Sequence, residues 1–249
     1  MIPPRAPSAK RSARPARQRG AALLLLLAVA GLALSSVLIG VFSRSGIEAL
    51  REQRTLARLA QAREALVGYA ATNGRLPRPA VSALDGRERA EPCTDEESCT
   101  GFLPWTTLGV DGADSWGKVL RYSVTPLYTV LPVQRLSTVA TKRVLTRSGQ
   151  GRLQYLVGQD ECTLAAQCAP AVVFSQGRDN VGTSVAGLRL ANAVLNNRDE
   201  LLNDEGSVEF FQRSRSEDGA APGGPFDDML VAVPLELLYE RMAAARTLP

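Results

Sequence analysis

Residues 17–42 read RQRGAALLLLLAVAGLALSSVLIGVF, and no charge falls between Ala21 and Phe42. A helix rises ~1.5 Å per residue, so this run is long enough for the ~30 Å hydrocarbon core of a bilayer. Its polar members, Ser35 and Ser36, can return their hydroxyl protons to helix carbonyls. Arg5, Lys10, Arg11, Arg14, Arg17 and Arg19 precede the run, with no acid among them. Cations held on the inner side predict a cytoplasmic N-terminus and place everything from Arg44 onward across the membrane. A cleaved secretory signal is the poorer reading. Its apolar core is usually ~7–15 residues, and Ser43-Arg44-Ser45-Gly46 is a weak exit site. The basic arm abuts an apolar run, so it reads as a topology signal, and no nucleic-acid partner is expected.

Beyond the run the helical pattern persists. Leu56, Leu59, Ala60, Leu66, Val67 and Ala70 recur at spacings of three and four, with Arg51, Arg54, Arg58 and Arg63 largely on other faces. Gly74 is placed to cap this helix, and Pro77 and Pro79 forbid its continuation. Ala21 to Asn73 is therefore expected as one helix, interrupted only by Gly46.

The rest reads as strands and loops. Leu120, Tyr122 and Val124 alternate with Arg121 and Ser123, the pattern of a half-buried strand. Further strands are expected at Leu127–Leu131, Leu153–Val157, Ala171–Phe174, Val208–Phe211 and Met229–Val233, and a helix from Leu235 to Ala245 behind Pro234. One long helix followed by closely spaced strands predicts the α+β class with an antiparallel sheet. Asp199-Glu200 and Asp204-Glu205 read as solvated surface features, and Gly219–Gly224 as a flexible loop. The boundaries that follow are 1–20, a basic leader; 21–43, an apolar helix; 44–74, its amphipathic continuation; and 75–249, a globular head.

Among 249 residues there is no histidine and there are four cysteines. Without histidine, no Ser-His-Asp or Cys-His catalytic arrangement can form. The sequence also lacks a Walker loop and G-x-S-x-G, and no catalytic residues are expected. Cys93/Cys99 and Cys162/Cys168 form two equally spaced pairs. An even count in an exported chain predicts disulfides, with two local loops favoured over the two crossed pairings. Zinc ligands usually stand closer together than this.

Arg17-Gln18-Arg19-Gly20 followed at once by Ala21-Ala22 and the leucine run resembles the processing site of type IV pilins and type II secretion pseudopilins. The stretches GRLP at Gly74–Pro77, GFLPWTTLG at Gly101–Gly109 and D-x-W-G at Asp114, Trp116 and Gly117 are similar to the same family. The resemblance covers 17–124 best and 171–249 more loosely, and does not extend over Pro132 to Gln159. It implies cleavage by a prepilin peptidase after Gly20, with Ala21 as an N-methylated mature terminus. It also implies a pilin-like fold and a D-x-W-G turn leading into the first sheet strand. The implied partners are other pilins or pseudopilins, met through the N-terminal helix, and an inner-membrane assembly platform. The implied location is a single-pass inner-membrane protein with a periplasmic head. Most of the family carries Glu where Leu25 stands here, which points to a minor subunit. Some members bind calcium in a loop by the sheet. The carboxylates on offer are Asp111, Asp114, Asp227 and Asp228, with Asp204 and Glu205, but none has EF-hand spacing, and no cofactor is expected. The alternative from a different class is a single-span anchored binding or scaffold domain that does not polymerise.

Overall fold

The structure, a computed structural model, describes the backbone of residues 19–249, with side chains described for 23–32 and 46–249. Most of the expected leader lies outside the described residues, and at Gly20 and Ala21 only the backbone is described. The chain forms two units, Met1–Ala49 and Leu50–Pro249.

Helix α1 (Arg19–Asn73) is 55 residues long. Gly74 follows with φ +71°, and its N–H donates to the Ala70 carbonyl at 2.9 Å, so the expected cap is formed. Within the second unit α1 buries Leu59, Ala62, Leu66, Val67 and Ala70. Leu56 of the expected stripe is 48% exposed, and Thr55 is buried in its stead.

That buried face packs on a four-stranded antiparallel sheet ordered β1 (Thr100–Phe102), β2 (Arg121–Val124), β5 (Ala171–Ser175), β9 (Met229–Ala232). Ala171 and Val173 of β5 face α1, while Val172 and Phe174 face the other way, as the two-residue period of a strand requires. The far side is covered by a three-stranded sheet ordered β4 (Leu153–Val157), β3 (Arg143–Arg147), β8 (Glu209–Phe211). Val144 and Phe210 from that sheet meet Val172, Phe174 and Leu230. Helix α4 (Leu235–Ala244) adds Leu238 and Met242 to the α1 side. The class is mixed α+β in three layers, with β5 the fully buried middle strand.

Four expectations need correction. Leu127–Leu131 is no strand: Pro126–Thr129 forms a 3-10 turn, because Pro126 sets the first helical φ and Pro132 ends the segment. β2 is covered on both faces, so Ser123 is as buried as Tyr122. The sheets are not wholly antiparallel, since β3 and β8 run parallel. Several elements were not foreseen: β1, β3, the short helices α2 (Trp105–Leu108) and α3 (Arg198–Glu205), and two short strands. β6 (Gly182–Thr183) and β7 (Arg189–Leu190) form a small separate ladder.

Leu66 is wholly buried at the contact of α1 with the central sheet. Leu66→Ala should cost about 2–5 kcal/mol, read as a lower urea midpoint at unchanged slope.

Candidate functional site

The first unit offers apolar surface. Leu23, Leu24, Leu25, Leu26, Leu27, Val29 and Leu32 are each more than half exposed on α1. Contiguous leucine surface of this kind is not left in water by a stable monomer. Among the described residues, no helix is long and apolar enough to cross a membrane. The expected span of residues 21–43 lies partly outside that test, because the side chains of 33–45 are not described.

In the second unit the D-x-W-G segment is a turn held from several sides. The Asp114 carboxylate is almost fully buried. Its Oδ1 accepts the N–H groups of Trp116 at 2.9 Å and Lys118 at 2.8 Å, and Oδ2 accepts the Ser175 hydroxyl from β5 at 2.7 Å. Gly117 has φ +81°, and Trp116 is half-buried. Arg58 of α1 donates to the carbonyls of Ala113 at 3.0 Å and Asp114 at 2.9 Å, and Thr55 Oγ1 accepts the Ser115 N–H at 3.1 Å. The turn thus joins helix to sheet. It leads into β2, the second strand in chain order, since β1 precedes it.

Both disulfides close local loops, Cys93–Cys99 with Cα atoms 5.1 Å apart and Cys162–Cys168 at 5.6 Å. The first loop carries Glu96, whose carboxylate accepts Thr141 Oγ1 at 2.6 Å and pairs with the wholly buried Lys142 ammonium. Lys142 also donates to the Ser207 carbonyl.

The acids of α3 were expected at the surface; two of them are buried. Asp199 is fully buried and ion-paired to Arg147 of β3 at 2.7 Å and Arg213 at 3.1 Å. A Cβ on Gly223 would lie 1.9 Å from Asp199 Oδ2, so the Gly219–Gly224 loop is there to approach that carboxylate. Glu200 is buried as well; it accepts the Asp227 N–H and the Asn197 side-chain amide at 2.7 Å. Asp204 accepts Gln176 at 2.7 Å and Arg189 at 3.0 Å, while Glu205 is exposed. Sequence reading missed Asp199 and Glu200 because α3 has no apolar stripe to mark an inward face.

One oxygen from each of Glu200, Asp227 and Asp228 lies within 4.8 Å of the others. Burial raises the pKa of all three, to about 7 for Glu200. The carboxylates do not make a calcium cage. Asp111 sits apart, paired with Arg58 at 2.9 Å, and both Asp114 oxygens are taken. Asp227 Oδ2 accepts the N–H groups of Arg178 at 2.9 Å and Asp179 at 3.1 Å. Asp228 accepts the amides of Asn180 at 3.2 Å and Asn203 at 2.9 Å. The carbonyls beside them already hold the Lys118 ammonium. This donor set of amides and an ammonium does not fit a calcium ion.

No family model, curated protein or solved structure matches the chain.

A buried carboxyl whose folded pKa stands above its unfolded value binds more protons when folded. Its neutral form stabilises the fold at low pH, and that contribution fades as pH rises towards and past the folded value. The folded head should therefore melt higher at pH 5.5 than at pH 8. Glu200→Gln, which copies the protonated side chain, should flatten that slope by on the order of 1–3 kcal/mol across the interval, measured by thermal unfolding.

Proposed function

We propose that the chain is a minor pilin-like subunit. It would be held in the inner membrane by its N-terminal helix until its leader is removed, and then assembled into a filament by packing that helix against its neighbours. One observation carries the reading: an uncharged run from Ala21 to Phe42 stands directly behind a basic arm ending in Gly20, on a helix that continues as α1 to Asn73. Exposed Leu23–Leu27 supports it, because those side chains demand lipid or other helices around them. Lipid tails are as apolar as leucine, so association between such helices must come from close packing. Ala28, Ala30, Gly31 and Ala33 are small residues of the kind close packing uses. Head and helix have separate tasks in this reading, one presenting a surface beyond the membrane and the other joining the assembly.

Leu25 shapes the proposal. A carboxylate at that position would give a subunit ahead a partner for its N-terminal amine; leucine offers none. The subunit therefore sits at or near a filament tip, or primes assembly. The same leucine favours the second reading, an anchored binding or scaffold domain that stays in the membrane.

Mass spectrometry of the protein from its native cells separates the two. The filament reading expects a mature chain beginning at methylated Ala21 wherever the peptidase is active, and an uncut chain when it is deleted. Gly20→Val should leave the leader in place. A chain that keeps Met1 beside an active peptidase would leave only the anchored domain.

A further inference from the structure

The side chain of Lys118, directly after the D-x-W-G turn, enters the second unit and is almost wholly buried. Its ammonium donates to the backbone carbonyls of Gln176 at 3.2 Å, Arg178 at 3.1 Å and Asn180 at 2.7 Å. These are alternate residues of the loop between β5 and β6. Three carbonyl dipoles converging on one point repel each other unless a positive charge sits there, and oxygen clusters of this kind suit a hard cation. An ammonium has three donors and no acceptor, so it satisfies three carbonyls with nothing left over.

The chain makes room for this group. A Cβ on Gly182 would lie 2.7 Å from Lys118 Cδ and 3.3 Å from Cε, so a larger residue there would push the stem aside. Burial pushes the lysine pKa down, while the negative charges of Asp114, Asp227, Asp228 and Asp179 push it up. The same residue's backbone N–H donates to Asp114, so one lysine joins the turn to the loop at two points.

We propose that Lys118 is a tethered cation that takes the place of a bound divalent ion, holding the 176–180 loop onto the D-x-W-G turn so that the head folds without metal. Removing the side chain then uncovers an oxygen-lined space beside Asp227 and Asp228, whose natural occupant is a free cation such as calcium. Asp227 and Asp228 already accept from Arg178, Asp179 and Asn180 of the same loop, and Asp227 Oδ1 is a buried oxygen with no hydrogen-bond partner.

The test uses the full chain in detergent micelles, with thermal unfolding followed in chelator and in calcium at about 5 mM, within reach of weak extracellular-type sites. The wild-type melting temperature should be the same in both. Lys118→Ala should melt lower than wild type in chelator and regain about 3 °C or more in calcium. Lys118→Met, which fills the space without charge, should melt lower and gain nothing from calcium. A wild-type protein whose melting point moves by several degrees with calcium overturns the proposal, and that arm needs no variant to fold. A Lys118→Ala protein indifferent to calcium, or one that cannot be recovered with calcium present throughout, overturns it too.

Discussion

The buried carboxylate of Asp114 is the constraint on which the arrangement of the head depends. It accepts two N–H groups of its own turn and a hydroxyl from the central strand β5, while its backbone carbonyl accepts Arg58 of α1. Helix, turn and sheet are therefore fixed by one residue with no exposed polar atom to spare. An isolated buried carboxylate would cost several kcal/mol, and here the turn's own backbone, Ser175 and the nearby Lys118 charge offset that cost. Its pKa is nonetheless raised, because burial outweighs the donors. The turn has geometry to spare for nothing else: with Oδ1 and Oδ2 both committed, Asp114 is a structural residue.

Around this point the head has two interiors. The α1 side of the central sheet is apolar, built from Leu59, Leu66, Leu120, Tyr122, Val173 and Met242. The Tyr128 and Tyr239 hydroxyls share a hydrogen bond of 2.6 Å there, which raises the Tyr128 pKa beyond what burial alone does. The other interior, between α3, the 176–180 loop and the start of β9, is polar. Asn180, Asn197, Asn203, Asp199, Glu200 and Asp228 are all buried there. Nearly every donor in it meets an acceptor, as a polar interior must to be stable at all.

That division explains what could be read from the chain alone. Where burial is apolar, periodicity reports it: α1, β2, β5, β8, β9 and α4 all follow from runs or alternation, and Pro234 marks the start of α4, while β4 was legible from LQYLV although its side chains are largely exposed. The local pairing of the cysteines was legible as the favoured option, because each loop is short and closes easily. α3 was not legible, since RDELLNDE shows no apolar face and hydropathy assigns its acids to water. β3 was hidden in RVLTR, where Arg147 faces inward to reach Asp199 and breaks the alternation that would have marked a strand. The apolar LYTVL stretch misled in the opposite direction, because hydrophobicity without period cannot tell a strand from a turn between two prolines. Of the candidate carboxylates, Asp227 and Asp228 do lie together, but the third member of their cluster, Glu200, came from a segment read as surface.

Charge inside this head is better understood as specification than as stabilisation. Replacing a buried ion pair by apolar groups is often neutral or stabilising, whereas removing one partner is costly. Asp199 can be served by Arg147 and Arg213 together only when β3, the chain after β8 and α3 are all in register, and Gly223 must pass close by as well. Lys142 has the same logic: its ammonium is satisfied only when the Cys93–Cys99 loop brings Glu96 to it and the chain before β8 brings the Ser207 carbonyl. A misregistered sheet would strand these charges in a low-dielectric interior, so the wrong packings are penalised more heavily than the right one is favoured. Segments as short as β1, β6, β7 and β8, with two or three residues each, have little register of their own to rely on. The buried charges supply it.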